Sequence, residues 1–268
     1  MILASAHPVS LLLSLAAALA YAVPALGARA LGGQAARRVL LLAWALHAAL
    51  IVWNLHSAAP RFGFASALSV MVWLVLTVYL IERQYYPQLG TRWALAGFGS
   101  AAIVLTLLFP GAPLPATSSP WLPLHFALGI AAYGMFAAAV AHAWLMTRAE
   151  AQVRHAEAPG TGVPLLTLER LMFRFVWAGF VLLTLTVLAG TVFGELLYGS
   201  VHTAWRWDHK RVFTVLSWLV FAVLLIGRSR FGWRGRRAVR VLYTGAGLLL
   251  LGYVGSRFVL EVLLGRAA

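Results

Sequence analysis

Histidine is the side chain best suited to chemistry in this sequence. The chain has eight of them, no cysteine, and seven carboxylates: Glu82, Glu150, Glu157, Glu169, Glu195, Asp208 and Glu261. Without cysteine there are no disulfides, no thiol redox chemistry, no iron–sulfur ligation and no C-x-x-C-H haem attachment. What remains is imidazole, which can ligate a metal, carry a proton or pack as a neutral ring. The most unusual stretch is Val201–Lys210, VHTAWRWDHK. Trp205 and Trp207 could stack on a flat apolar ligand, and Arg206 or Lys210 could meet its carboxylates. Asp208 could orient an imidazole through that ring's second nitrogen. The plainer reading is an aromatic belt with interfacial charges, which is common at membrane surfaces.

The elements that must position these residues are membrane helices. Of 268 residues 62% are hydrophobic and only 10% are charged, against roughly 25% charged in soluble domains. Such a chain cannot cover a water-facing surface, so a bilayer is its solvent. The net charge of +14 belongs to loops between apolar runs, where it orients helices and meets anionic lipid headgroups. No aromatic-basic segment is long enough for a nucleic-acid groove, and no nucleic-acid partner is expected.

A crossing needs about 20 apolar residues. The runs Val9–Leu26, Val39–His56, Phe64–Ile81, Trp93–Phe109, Leu122–Thr147, Met172–Phe193, Val212–Gly227 and Val239–Leu264 meet or approach that length. The expected fold is therefore an all-α polytopic transmembrane bundle of about eight helices. It forms a single integral membrane domain over residues 1–268. The small residues Ala28–Arg29–Ala30 resemble a cleavage site, but no basic residue precedes the first run. It reads as a retained helix rather than a signal peptide. Assigning alternate loops to the cytoplasm, beginning with the first, places 15 of the 21 basic residues inside. That bias predicts both termini outside. The segment Phe231–Arg237, FGWRGRR, reads as a cytoplasmic stop.

This topology sorts the histidines by depth. His7, His56, His125, His202 and His209 fall at or near the outer face, His142 and His155 toward the inner one. His47 lies near the middle of the second helix. A titratable group there is by default a functional candidate; its alternative is a neutral imidazole hydrogen-bonded to a neighbouring helix. His125 opens the fifth helix and His209 the seventh, so their rings could face each other. Two neutral imidazoles on opposite faces of a porphyrin are a common way to hold haem iron. His142 lies about 25 Å deeper than His125 along one helix, at 1.5 Å per residue, so those two cannot share a metal.

At these residues the sequence resembles the cytochrome c assembly family of haem handlers, the CcsA/CcmC/ResC type, and within it the small inner-membrane, YpjD-like branch. The likeness is strongest over residues 121–264. It runs through Leu124–Ala137 (LHFALGIAAYGMFA), Glu169–Phe193 and His209–Arg237 (HKRVFTVLSWLVFAVLLIGRSRFGWRGRR). The resemblance implies haem held at the outer face by histidines around a tryptophan-rich loop. His125 matches the external histidine that opens a helix, and His47, within LHAAL, matches an intramembrane histidine. Trp205-Arg206-Trp207-Asp208 resembles the end of the tryptophan-rich signature, in a shorter loop. Gly227 stands where the CcsA type carries a second intramembrane histidine. His209 stands where the larger proteins usually have proline after the signature's aspartate.

The resulting expectation is a non-enzymatic haem-binding protein of the bacterial inner membrane, acting in cytochrome c biogenesis. His125 and His209 would be the iron ligands. Trp205 and Trp207 would contact the porphyrin edge, Arg206 would meet a propionate, and His47 would relay or hold haem within the membrane. Haem is the expected non-covalent cofactor, with apocytochrome c or other assembly proteins and membrane lipid as partners. The alternatives are a small-solute or ion transporter with His47 on its pathway, and a structural subunit of a larger membrane complex. Against the transporter, the chain has no paired interrupted helices or pseudo-symmetric halves.

Overall fold

In the computed structural model, every long apolar run becomes a helix. The structure describes residues 8–27, 32–57, 60–86, 92–113, 121–155, 163–193, 209–259 and 262. The helices are α1 (Pro8–Leu26), α2 (Gly33–Leu55), α3 (Phe64–Tyr85), α4 (Arg92–Leu108), α5 (Leu122–Arg154), α6 (Leu165–Val192), α7 (His209–Phe231) and α8 (Gly235–Leu250). α8 continues through a π-helical segment, Leu251–Gly255, into the turn Ser256–Phe258. Counting α8 with its continuation to Phe258, seven of these helices are long and apolar enough to cross a membrane. The exception is α4, whose 17 residues span about 25 Å against a hydrocarbon core of about 30 Å.

The helices overrun the apolar runs that announced them. α5 continues past Thr147 to Arg154, and α6 begins at Leu165 rather than Met172. The added turns carry Arg, Glu, Gln and Leu, which are strong helix formers. The helix thus persists after the hydrocarbon has ended, whereas a hydropathy reading stops at the first charge.

The chain divides into two compact units, residues 1–114 with 257–268, and residues 115–256. In the first, α1 packs against α2 and α4, and α3 packs against α4 and α2. Small residues let these backbones approach, as in many membrane bundles. Tyr21 lies over Gly99, where an added Cβ would sit 3.0 Å from the ring. Ser100 Oγ donates to the Ala18 carbonyl at 3.0 Å. A two-residue antiparallel ladder, β1 (Arg61–Phe62) with β2 (Ala112–Pro113), ties the α2–α3 and α4–α5 connections together. Gly111 makes that crossing with φ of +78°, and a Cβ there would strike the Phe62 backbone. Only glycine fits.

In the second unit, α5 and α6 form a long pair, α7 packs on α6, and α8 packs on α7 and α5. At its centre Phe136 and Phe221 stack at 3.7 Å between ring centroids. Gly179 on α6 opens a place beside Phe136, and Gly245 on α8 beside Phe221. Ser217 Oγ donates to the Gly245 carbonyl at 2.8 Å, and Tyr133 Oη to the Leu249 carbonyl at 2.7 Å. Trp218 Nε1 donates to Thr184 Oγ1 at 2.9 Å. Each contact joins a different helix pair, so all four helices are fixed in register by polar groups that lipid could not satisfy.

One end of this unit is held by charge. Glu169 Oε1 accepts from Arg228 Nη1 at 2.8 Å and lies 3.9 Å from Arg234 Nε. The Glu169 side chain is 10% exposed, the Arg228 side chain 29% and the Arg234 side chain 65%. Removing one partner of a buried pair costs about 3–5 kcal/mol, reduced here because Arg228 is partly wetted. Glu169→Ala is expected to destabilise the protein by about 2 kcal/mol, and Arg234→Ala by under about 0.5 kcal/mol. Thermal unfolding in detergent checks both values. Equal losses from the two variants would mean that Arg228 is not the anchor.

Candidate functional site

At the opposite end of the second unit, the structure gathers the N-termini of α5 and α7 with the C-terminal parts of α6 and α8. Pro123 sits in the first turn of α5, where its missing N–H costs nothing, and the turn after it carries His125. The His125 ring is half-buried against Gly190 of α6. A Cβ built at Gly190 would stand 3.3 Å from His125 Cε1 and 3.9 Å from Nε2. The glycine therefore leaves the space that the imidazole occupies.

His209 is the first residue of α7 and is exposed. Lys210 beside it lies close enough to His125 for their charges to interact. Its ammonium sits 5.1 Å above the Tyr253 ring. Tyr253 belongs to the π-helical segment of α8, where Gly252 packs against Phe213 and the Lys210 carbonyl. Single π-turns within α-helices often accompany functional sites. Here the π-helical segment puts Tyr253 under Lys210. The two imidazoles proposed from the sequence thus belong to the same end of one unit, which also holds Lys210 of α7 and Tyr253 of the π-helical segment.

Trp205, Arg206, Trp207 and Asp208 lie outside the described residues, as do His7 and His202. The sequence offers Lys210 only as one of two possible carboxylate partners. Gly190 and Tyr253 gave no signal, because a glycine near a helix end and a tyrosine in an apolar run are ordinary.

His47 is placed differently. It lies in the first unit, fully buried, with Tyr21 Oη 3.3 Å from Nδ1 and Ser69 Oγ 2.7 Å from Nε2. The Tyr21 ring meets the imidazole edge-on at 5.7 Å. One ring therefore ties α1, α2 and α3 together, while Gly99 of α4 closes over Tyr21. One turn away, Trp44 and Trp73 stack at 5.4 Å, and Trp44 Nε1 donates to Thr77 Oγ1 at 2.8 Å. Both nitrogens of His47 are engaged, as a neutral imidazole allows with one donor and one acceptor. To ligate iron or carry a proton it would first have to give up one of these bonds.

His47→Leu strands the Tyr21 and Ser69 hydroxyls in a buried place. It is expected to lower stability by about 1–3 kcal/mol, in the range of two interhelical hydrogen bonds in a membrane. His47→Gln keeps a donor and an acceptor and should recover part of that loss. Thermal unfolding in detergent separates the two, and a leucine variant as stable as the parent would refute the role of the ring as a tie.

His142 lies deep in the second unit. Its Nδ1 is 2.8 Å from the Ala138 carbonyl, and its ring packs 5.2 Å from Phe175. Among the described residues no three His, Asp or Glu side chains cluster as a metal site; axial ligation of a porphyrin needs only two.

A sequence model of the family described as Cytochrome C assembly protein matches residues 33–264. Among curated proteins, the chain is 28% identical over 205 residues to the Inner membrane protein YpjD of Escherichia coli (strain K12), covering 74% of this chain and 73% of that one. It is 26% identical over 238 residues to the Cytochrome c biogenesis protein CcsA of Prochlorococcus marinus (strain AS9601), covering 78% and 76%. A shorter stretch of 89 residues is 37% identical to the CcsA protein of Synechococcus elongatus, covering 33% of this chain and 26% of that one. No solved structure matches the chain significantly.

Proposed function

The chain belongs to the cytochrome c assembly protein family, and from that premise we propose that it binds haem non-covalently and handles it, without catalysis, in cytochrome c biogenesis. It is a multi-pass inner-membrane protein. The observation that carries the proposal is the placement of His125 and His209 at the same end of the second unit, where Gly190 leaves room for the His125 imidazole.

The residues present suit haem. Two imidazoles supply axial nitrogen donors. Lys210 supplies a cation for a propionate, and Tyr253 supplies flat apolar surface; the sequence adds Arg206, Trp205 and Trp207, which lie outside the described residues. His125 and His209 would hold haem through ligation that another donor can exchange, which is what transfer to an acceptor such as apocytochrome c would require. The protein's own part is to hold the imidazoles apart and to anchor the carboxylates. Asp208, next to His209, is a hydrogen-bond acceptor able to fix that ring's orientation.

The orientation follows from charge. The Glu169–Arg228 end of this unit carries Arg170, Arg174, Arg228, Arg230, Arg234, Arg236 and Arg237. The positive-inside rule assigns such an end to the cytoplasm. On that rule the His125 end of the second unit faces outward. His47 serves in this reading as an internal tie of the first unit that could engage haem only by exchanging a hydrogen bond. That engagement also weakens the transporter alternative, which needs His47 on an open pathway.

Absorbance spectra of the detergent-purified protein, oxidised and reduced, with and without added haem, test the proposal. A Soret band is the expected result. If no preparation retains or takes up haem, the proposal falls.

A further inference from the structure

The arginine-rich end of the second unit holds a second feature, independent of the haem site. Arg170, Arg174 and Trp177 project from one face of α6 at helical spacing, and all three are exposed. With Phe173 and Arg228 they line an open cleft between α6 and α7. Arg228 does not swing freely. Glu169 holds it at 2.8 Å, and its guanidinium lies over the Phe173 ring at 4.6 Å. That buried carboxylate is shared between Arg228 and Arg234. Arg170 and Arg174 have no acidic partner among the described residues.

The cleft therefore offers three guanidinium groups around an apolar floor, with one carboxylate already engaged. Its floor continues into lipid-facing surface: Trp177 is 63% exposed on a helix apolar enough to cross the membrane, and Leu166, a turn before Arg170, is 68% exposed. Positive charge alone would be met by water and free ions. Positive charge at the head of an exposed aromatic face instead matches a molecule with an anionic head and an apolar tail. Guanidinium groups bind phosphate oxygens in bidentate fashion, and tryptophan settles at headgroup level.

We infer that this cleft is a specific site for the phosphodiester headgroup of an anionic phospholipid. Arg170 and Arg174 clamp the phosphate, Arg228 is pre-set by Glu169 as the third contact, and the acyl chains lie along Phe173 and Trp177. The site would hold one lipid of the phosphatidylglycerol or cardiolipin class in the leaflet that meets the arginine-rich end.

Native mass spectrometry of the full-length protein in detergent tests this, with phosphatidylglycerol, cardiolipin or phosphatidylcholine added. The anionic lipids should be retained as discrete adducts and phosphatidylcholine should not. Arg170→Gln with Arg174→Gln should weaken retention by more than about tenfold, because each lost guanidinium–phosphate contact is a charge-assisted hydrogen bond. Arg230→Gln with Arg236→Gln removes the same charge from exposed positions at the same end and should leave retention unchanged. Arg170→Lys with Arg174→Lys keeps the charge and the fold but loses the planar fork, and should weaken retention by an intermediate factor. The inference is overturned by any of three results. The control pair could lose as much affinity as the cleft pair, which means a diffuse field. Millimolar inorganic phosphate could strip the lipid, which means a free-anion site. Phosphatidylcholine could bind equally, which means apolar contact alone.

Discussion

Replacing both His125 and His209 by alanine should leave no Soret band on protein separated from free haem, and either single replacement should lower haem affinity by more than about a hundredfold. The benchmark is the 10–100-fold that loss of a group merely positioning a metal ligand costs; loss of a ligand itself must exceed it. Gly190→Val provides the graded case. It keeps both imidazoles but fills the space against His125, where even a Cβ would stand 3.3 Å from the ring. Its expected fall is about 10- to 100-fold. His142→Ala is the control, since His142 lies in the same helix about 25 Å deeper and packs on Phe175; its spectrum should match the parent's. Titration of purified variants with haem, followed by absorbance, reads all of these. A Soret band unchanged by both histidine replacements sinks the ligation, whatever the fate of the lipid cleft.

Gly227→His should destabilise the protein and fail to create an intramembrane haem site. The substitution restores the histidine that the CcsA type carries by resemblance, yet its place is taken. The chain turns back after α7 through Gly232 at φ +64° and Gly235 at φ +54°. Trp233 N–H then donates to the Gly227 carbonyl at 3.0 Å, and the indole lies on Gly227 so closely that any Cβ would fall against the ring. Arg237 covers the indole at 4.1 Å. A side chain at 227 must expel Trp233, and overpacking of this kind costs about 1–3 kcal/mol, occasionally more. Gly227→His with Trp233→Ala should recover stability relative to Gly227→His alone, because the clash is pairwise. Thermal unfolding in detergent measures the cycle. A stable single variant that gains a second haem would show that Trp233 yields, and that the family's internal site is latent here.

These expectations rest on features of unequal legibility. The helices were legible because lipid leaves the backbone no alternative: an apolar run of sufficient length must close its own hydrogen bonds. The positions of His47, His125 and His209 along their helices followed from counting residues, as did the arginine bias between loops. The sequence also carried enough of the family's pattern for membership to be read from residues 121–264.

Partners in space were not legible, because pairing between helices depends on which face each one turns inward. Nothing in LHAAL announces that Tyr21, 26 residues earlier, and Ser69, 22 residues later, meet the two nitrogens of His47. FGWRGRR read only as a stop; the left-handed glycines that fold Trp233 onto Gly227 are backbone facts. Gly190, Gly179 and Gly245 are alike in sequence, yet one makes room for an imidazole and two make room for phenylalanines. The sequence by itself determined a polytopic helical protein, its family and the histidines worth testing. Only the tertiary structure decided which histidine is tied into the packing, which two share an end, and where three arginines converge. The physical reason is that hydropathy is a property of each segment alone, whereas a binding site is a property of the faces that packing brings together.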